Sequence, residues 1–230
     1  GQGAGHVRSH GRKNLLMEQT TALLVTGGEA PSRRYMEARL PGFSFVCAAD
    51  SGFDTLAAWG RIPDLAIGDM DSIADPEILA SCPMVVRLPA DKDDTDTEAG
   101  LRVLRDRGYS RVVLAGGGGG RLDHLLAVRA LLDRPSGPDE WLTASEQVLR
   151  LDEPTTLQVR TGDTVSVFPL SGGASGMSSK GLKWPLDGLA WNQGQFGISN
   201  VATAHTVHID PGHRPVMVIL RLPPDVQEPV

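Results

Sequence analysis

The sequence has little cysteine, no long apolar run and no excess of positive charge, and each absence excludes a class of protein. Cys47 and Cys82 are the two cysteines, and they form no CxxC motif of the kind that binds a structural zinc ion. No apolar run approaches the roughly 18 residues that span a bilayer. With 28 acidic against 22 basic residues, the chain lacks the basic face that nucleic-acid binding requires. We therefore expect a cytoplasmic protein, with reduced thiols, that acts on a small molecule.

What the chain does have is enough apolar sequence for a real core and two contrasting patterns along its 230 residues. Residues 1–20 are predicted to be a disordered extension, within which Met17 is a candidate natural start. Strand and helix patterns alternate in residues 21–136, which predicts an α/β domain. Residues 137–230 show only β-branched or alternating runs between Gly and Pro turns, which predicts a second, all-β domain.

The alternation in residues 21–136 predicts a parallel sheet covered on both faces. Strands are predicted at 22–28, 43–50, 65–67, 84–89 and 111–115, and helices at 32–40, 53–60, 96–108 and 121–132. The last helix is expected to carry Leu122, Leu125, Leu126 and Leu132 on one side. The predicted fold is a Rossmann-like parallel sheet domain followed by a small antiparallel β-sandwich domain.

Acidic residues are concentrated between Asp50 and Glu98, where twelve acidic and three basic side chains give a local net charge of −9. Asp50 and Asp69 fall where predicted strands end, at the edge of a parallel sheet where ligands bind. Asp69 and Asp71 are two residues apart, so both point the same way if strand geometry persists. A solvated acidic surface is the alternative. Carboxylates gathered at one edge instead favour Mg²⁺, which prefers oxygen ligands.

A third acidic cluster, DKDDTD, occupies residues 91–96 between a predicted strand and its helix. Asp91, Asp93 and Asp96 are candidates for additional metal ligands there. Thr95 or Asp96 could instead cap the helix N-terminus. Glu98 is expected to compensate the helix dipole rather than to take part in the chemistry.

A run of five glycines follows the fifth predicted strand and precedes a helix. Such a run can present backbone N–H groups at a helix N-terminus to a phosphate, although no Walker lysine is present. Arg121 can pair with phosphate oxygens, and Asp123 can bind a metal or a substrate hydroxyl. The candidate phosphate-binding residues are Gly116, Gly117, Gly118, Gly119, Gly120, Arg121 and Asp123.

These motifs occur in an order that resembles the thiamine pyrophosphokinase family. The resemblance is carried by ADSG at 49–52, PDLAIGDMDS at 63–72, DKDDTDTE at 91–98, GGGGGRLDH at 116–124, SKGLKWPL at 179–186 and ISN at 198–200. It extends from about residue 22 to about residue 222. The sequence departs from the family pattern at Ser51, where the family often has Gly, and at Met70, where Phe is common.

The resemblance implies transfer of the pyrophosphoryl group of ATP to the thiamine hydroxyl, giving thiamine diphosphate and AMP. It implies a magnesium–phosphate centre whose metal ligands are Asp69, Asp71, Asp93 and Asp96. Asp50 would lie at the same centre and contact the ATP. Asp71, Asp93 and Asp96 are the catalytic candidates, and Asp71 or Asp96 would orient or deprotonate the hydroxyl. The glycine run, Arg121 and Asp123 would hold the ATP phosphates.

The resemblance also places a thiamine site in the β domain. Trp184 is the candidate stacking partner for the cationic heterocycle, because a cation over an indole ring is stabilised. Ser199 and Asn200 are the candidate polar contacts to the aminopyrimidine. In the resembling family the enzyme is a homodimer, with thiamine between the α/β domain of one subunit and the β domain of the other.

Two other functions fit the same residues. A magnesium-dependent phosphohydrolase or nucleotidyl transferase would turn over nucleotide without thiamine. A non-catalytic thiamine- or nucleotide-binding module would bind its ligand without forming AMP.

Overall fold

The α/β half of the chain forms parallel strands with helices between them. The computed structural model describes residues 21–71, 73, 76–89, 94–192 and 194–223. The expected N-terminal extension, Asp91 and Asp93 lie outside these residues. The parallel strands are β1 (Thr21–Val25), β2 (Phe45–Ala49), β3 (Leu65–Gly68), β4 (Val85–Arg87), β5 (Arg111–Ala115) and β6 (Glu140–Leu142). The helices are α1 (Arg33–Arg39), α2 (Gly52–Ala58), α3 (Pro76–Leu79), α4 (Asp96–Asp106) and α5 (Leu122–Leu131).

The second half is built from antiparallel strands. They are β7 (Glu146–Leu151), β8 (Thr155–Gln158), β9 (Thr164–Pro169), β10 (Ala174–Ser175), β11 (Ser178–Lys180), β12 (Ala190–Trp191), β13 (Gly197–Val201), β14 (Thr206–Asp210) and β15 (Val216–Arg221). One ten-stranded sheet has the order β13-β9-β15-β7-β6-β5-β1-β2-β3-β4, beside a three-stranded sheet β11-β14-β8 and a pair β10-β12. Val165 and Val218 of the large sheet share a buried cluster with Val207 and Ile209 of β14. The predicted fold class, a parallel α/β sheet followed by an antiparallel β-sandwich, is confirmed.

The central parallel strands β1, β2 and β3 are buried on both faces, which explains their almost continuously apolar sequences, whereas β4 at the edge of the sheet is exposed. Along β1, Leu24 packs into one buried cluster and Leu23 and Val25 into another. Leu104 of α4 belongs to the first cluster, and Phe53 of α2 to the second. Side chains alternate between faces along a strand, so the four buried positions of β1, residues 22–25, are all apolar.

The strand order places a topological switch point at β1. From β1 the chain proceeds outward through β2, β3 and β4, and then returns to form β5 on the other side of β1. In open α/β sheets the connections diverge at such a point and leave a crevice outside the carboxyl ends of the strands. The loops after β1, β2 and β5 therefore surround the crevice.

The sheet continues across the predicted domain boundary at residue 136. Strand β6 pairs in parallel with β5 and antiparallel with β7, so it joins the two halves within a single sheet. Division of the chain into domains at this position remains a prediction. Among the residues that the structure describes, no helix combines the length and apolarity needed to cross a bilayer.

The predicted apolar side of α5 is only partly buried. Leu122 and Leu126 are 68% and 55% exposed, whereas Val128, Leu131 and Leu132 are buried. Successive residues of an α-helix are about 100° apart around its axis. Leu122 and Leu126 therefore lie on a different face of α5 from Val128 and Leu131. The buried face is therefore rotated away from the first of the predicted leucines.

Candidate active site

A pocket of about 500 Å³ occupies the crevice at the switch point. Its lining comes from the loops after β1, β2 and β5, from the first turn of α4 and from one side of α5. Asp50, Asp96 and Arg121 are the charged residues in this lining that the sequence analysis selected. Ala127, Val128 and Leu131 of α5 supply an apolar wall. Polar loops at one end and an apolar wall at the other suit a ligand with a phosphate group and a ring.

Three of the predicted acidic residues come together at the edge of this pocket. Asp50, Asp69 and Asp71 each offer a carboxylate oxygen, and these oxygens lie within 4.8 Å of one another. All the donors are carboxylate oxygens, without His or Cys, which fits Mg²⁺ better than a softer metal. Because Asp50 also lines the pocket, the acidic cluster and the pocket form one continuous site.

The geometry of the cluster differs from the extension of β3 that the sequence suggested. Strand β3 ends at Gly68, and Met70 adopts a left-handed conformation with φ of 67°. Met70 is 9% exposed and packs into the core, while the Asp71 N–H donates to Asp69 Oδ1 at 3.1 Å. Asp50 is also left-handed, with φ of 50°. Such strain in residues other than glycine is typical of functional sites.

Asp96 lies close to this cluster, and its side chain is not the cap of its helix. Thr95 is the N-cap of α4 and forms a capping box with Glu98, so the cap does not use the Asp96 side chain. A Cβ added to Gly68 would lie 3.3 Å from both the Asp96 carboxyl and the Asp50 backbone nitrogen. Gly68, with φ of 148°, therefore allows Asp96 to approach the loop that carries Asp50.

Three of the five glycines already use their backbone N–H groups in hydrogen bonds within the chain. The N–H groups of Gly116, Gly117 and Gly118 donate to the carbonyls of Leu142, Gly27 and Glu29, at 3.0, 2.7 and 3.3 Å. The first of these bonds ties the run to the end of β6, and the other two tie it to the loop after β1. Gly119 and Gly120, both with φ of 62°, lie next to Arg121 and line the pocket with it. The phosphate-binding role of the five glycines remains a prediction, and four of them, Gly117 to Gly120, line the pocket.

Arg121 and Asp123 form an ion pair at 2.5 Å on the open side of the pocket, where both side chains are exposed. The hydrogen bond from Arg121 lowers the pKa of Asp123, and the same bond raises the pKa of Arg121. Arg121 is thus already paired with an anion, the Asp123 carboxylate, and a phosphate could form the same kind of bond with it. On the other side of the pocket, Arg134 pairs with Glu98 at 2.6 Å.

The residues predicted to bind thiamine lie in the β half and do not line this pocket. Trp184 is 54% exposed, and the Lys183 Nζ lies 4.6 Å from the centre of its ring. Ser199 is exposed and left-handed, with φ of 57°. Asn200 is 7% exposed, and its amide bonds to the backbone of Trp184.

Comparison with known protein families matches the chain over both halves. The model described as Thiamin pyrophosphokinase, catalytic domain, matches residues 38–137, and the model described as Thiamin pyrophosphokinase, vitamin B1 binding domain, matches residues 150–212. Together the two matches cover more than two thirds of the sequence. The chain belongs to the thiamin pyrophosphokinase family. The resemblance inferred from the motifs is thereby confirmed, and the family is one of enzymes.

Solved structures of family members share the fold over nearly their whole length. Thiamine pyrophosphokinase from Bacillus subtilis matches with a TM-score of 0.76 and 22% identity, over 87% of this chain and 98% of that chain. The family protein from Enterococcus faecalis gives 0.75 and 20%, over 88% and 99%. The enzyme from Candida albicans gives 0.73 and 14%, over 90% of each chain. A search of curated proteins returned no match.

The family matches divide the predicted site residues between the two halves. The acidic cluster, the glycine run and Arg121 fall within the catalytic-domain match, and Trp184, Ser199 and Asn200 within the vitamin B1 binding match. The structure brings together Asp50, Asp69 and Asp71, and places Asp96 near them. The roles of all these residues remain predictions, and Asp93 lies outside the described residues.

Sequence reasoning missed several residues that line the pocket. Thr26 and Gly27 follow β1, and the Thr26 hydroxyl lies 2.8 Å from the hydroxyl of Thr97 in α4. Arg134, beyond the end of α5, also lines the pocket. The position of Thr26 at the carboxyl end of a predicted strand, the same criterion that selected Asp50, could have identified it. No local pattern distinguishes Arg134 from other surface arginines.

Proposed function

We propose that the protein transfers the pyrophosphoryl group of ATP to the hydroxyl of thiamine, with thiamine diphosphate and AMP as products. The observation that carries the proposal is the shared position of Asp50, which belongs both to the three-carboxylate cluster and to the lining of the 500 Å³ pocket. A nucleotide held in that pocket would have its phosphates beside the carboxylates. Membership in the thiamin pyrophosphokinase family supports the identity of both substrates.

In this reaction the thiamine oxygen bonds to the β-phosphorus of ATP, and the bond from that phosphorus to the bridging α,β-oxygen breaks. AMP leaves with the bridging oxygen, and the hydroxyl proton passes to a base. Asp71 is our first candidate for the base, because it is the most exposed carboxylate of the cluster and so the most accessible to a second substrate. Asp96 is the alternative.

Other side chains of the α/β half would bind and orient ATP. Gly119 and Gly120 offer backbone N–H groups, and Arg121 can exchange its bond with Asp123 for a bidentate bond to a phosphate. The apolar wall of α5 can cover the base and exclude water. The contribution of Asp123 would then be to orient Arg121, and not to contact the nucleotide itself.

The carboxylates of Asp50, Asp69 and Asp71 fit Mg²⁺, and Asp93 and Asp96 remain candidates for further ligands. Bound Mg²⁺ would neutralise negative charge on the phosphate oxygens. Without a cation, three carboxylates at this spacing repel one another.

Trp184 would bind thiamine by stacking, and Ser199 would supply a polar contact at its edge. Within one chain these residues do not line the nucleotide pocket. We therefore propose a homodimer in which the thiamine platform of one subunit faces the pocket of its partner. The exposed apolar side chains of Trp184, Phe196 and Ile198 support a surface that is covered by protein or ligand. The two buried free thiols suit a cytoplasmic location.

The direct test is to incubate the purified protein with ATP, Mg²⁺ and thiamine and to separate the nucleotides. We expect AMP to form only when thiamine is present. Asp71→Asn should lower turnover at least about 100-fold, the usual size of a general-base contribution. Asp106→Asn is the matched control, because Asp106 is an exposed aspartate at the far end of α4. AMP or ADP formed without thiamine would favour a phosphohydrolase or nucleotidyl transferase, and binding without any product a non-catalytic module.

A further inference from the structure

Asn200 makes hydrogen bonds that point to a role other than substrate contact. Its Oδ1 accepts from the N–H groups of Trp184 and Val201 at 3.1 and 2.9 Å, and its Nδ2 donates to the Trp184 carbonyl at 2.6 Å. The residue is 7% exposed. An amide oxygen has two lone pairs, and here both are engaged within the chain. Little of the amide is left for a ligand.

A bulge in β13 aims the Asn200 side chain inward. Gly197 pairs with Val167 and Asn200 with Val165, so β13 contains one more residue than β9 over this stretch. Ser199, with φ of 57°, is the left-handed residue of the bulge. An extra residue of this kind re-aims the side chains that follow it. Ser199 is exposed as a result, and Asn200 is buried.

The segment that Asn200 holds is the one that presents the indole ring. Leu182 forms an antiparallel bridge with Ala202, and the Lys183 N–H donates to the Val201 carbonyl at 2.8 Å. This short ladder cannot continue beyond Trp184 through the backbone, because Pro185 has no N–H. The Asn200 amide takes the place of a strand partner and satisfies both backbone groups of Trp184.

Buried leucines hold the same segment on each side of Trp184. Leu182 is 7% exposed and Leu186 2%, whereas Trp184 between them is 54% exposed. The Leu186 N–H donates to the Ser179 Oγ at 2.9 Å. The indole thus projects from a backbone that is fixed before and after it. Asn200 supplies the hydrogen bonds at Trp184 itself.

We propose that Asn200 is a positioning residue that fixes the backbone of Trp184, so that the indole ring is oriented for thiamine before thiamine binds. It acts on thiamine through Trp184 and not by direct contact. The inference rests on the proposed function, because it takes Trp184 as the thiamine platform. A ring already held in place loses less conformational entropy on stacking, so binding is tighter.

A double-mutant cycle separates this role from direct contact. The kcat and the KM values for thiamine and ATP are measured for the wild type, Asn200→Ala, Trp184→Ala and the double variant. We expect Asn200→Ala to raise the thiamine KM on the order of tenfold, the size of one or two lost hydrogen bonds, and to leave the ATP KM unchanged. In the Trp184→Ala background the same change should have no further effect. An equal rise in both backgrounds would overturn the proposal.

Asn192→Ala is the matched control, because Asn192 is an asparagine of the same half whose Oδ1 accepts from the Gly194 N–H at 2.8 Å. It should leave the thiamine KM unchanged. If Asn200→Ala fails to fold, the cycle is repeated with Asn200→Asp, which keeps the acceptor and loses the donor. A smaller rise that disappears without Trp184 supports the proposal, and a rise independent of Trp184 refutes it.

Binding of thiamine in the absence of ATP, followed by tryptophan fluorescence, distinguishes failure of this inference from failure of the proposed function. No thiamine binding by the wild-type protein, together with no thiamine-dependent AMP in the nucleotide assay, would refute the proposed function. Thiamine binding that is present and unaltered by Asn200→Ala would refute the positioning role alone.

Discussion

At the scale of single residues, the candidate thiamine platform already carries a positive charge. The Lys183 Nζ lies 4.6 Å from the centre of the Trp184 ring, within the range of a cation–π interaction. Thiamine brings a second cation to the same ring. Two cations on one indole compete for its negative face, or repel each other if they take opposite faces.

We therefore expect Lys183→Ala to tighten thiamine binding. An exposed cation–π contact is worth about 0.5–1 kcal/mol, so the thiamine KM should fall about two- to fivefold. Lys180→Ala is the matched control, since it removes an exposed positive charge three residues away in β11. Steady-state kinetics at saturating ATP measure the effect. A higher thiamine KM in Lys183→Ala would mean that the ammonium assists thiamine and does not compete with it.

The residue scale also shows where sequence reasoning succeeds and where it stops. Asp50 and Asp69 were recognisable because each follows an apolar run, and such runs end at one edge of the sheet. The left-handed Met70 and the bulge at Ser199 were not recognisable, because tertiary packing imposes them on residues with no local preference for them. The engagement of Asn200 with Trp184 depends on that bulge. The sequence therefore identified the residue, and only the structure suggests what it does.

At the scale of elements, the N-terminus of α4 links helix stability to the site. The Glu98 Oε2 accepts from both the N–H and the hydroxyl of Thr95, at 2.9 Å each, and Oε1 accepts from Arg134. Burial alone would raise the pKa of Glu98, but the hydrogen bonds from Thr95 and Arg134 outweigh it and lower that pKa. Asp96 is the first residue of the same helix. The cap therefore also fixes the backbone from which the Asp96 side chain extends.

Glu98→Gln should lower the free energy of unfolding by about 0.5–1 kcal/mol at neutral pH, because glutamine can keep the capping box but loses the negative charge that pairs with Arg134. A carboxyl with a lowered folded pKa stabilises the fold above its unfolded pKa, and this contribution is lost as the pH falls through the folded pKa. The difference from wild type should therefore shrink in acid. Urea unfolding between neutral and acidic pH measures it, with Asp106→Asn as the control at the other end of α4. A difference that stays constant with pH would contradict an ionic cap.

Helices and strands of the α/β half were largely predictable because their periodicity is strong and their ends carry caps or glycines. Two elements were not. Helix α3 spans only four residues, which is too short for a periodic signal. Strand β6 spans three, and it enters the sheet through pairing with β5 and β7 and not through any local pattern. Because β6 joins the halves, the continuous ten-stranded sheet could not be foreseen.

At the scale of the whole molecule, the two parts of the candidate site do not line one pocket within a single chain. The acidic cluster adjoins the pocket of the α/β half, and Trp184 projects from the β half without lining that pocket. A two-fold dimer would resolve the separation if each α/β half met the β half of its partner. A symmetric pair would then contain two identical sites, each assembled from both chains.

Complementation between two deficient variants tests this assembly. Asp71→Asn and Trp184→Ala chains are unfolded together, refolded as a mixture and assayed at low thiamine, where each variant alone has little activity. If the site is shared, random pairing makes half of the dimers mixed, each with one intact site of two. The mixture should then recover about one quarter of wild-type activity. Asp71→Asn mixed with Asp69→Asn is the matched control and should recover nothing, because both defects lie in the same half. Recovery no greater than in that control would place thiamine and ATP within a single chain.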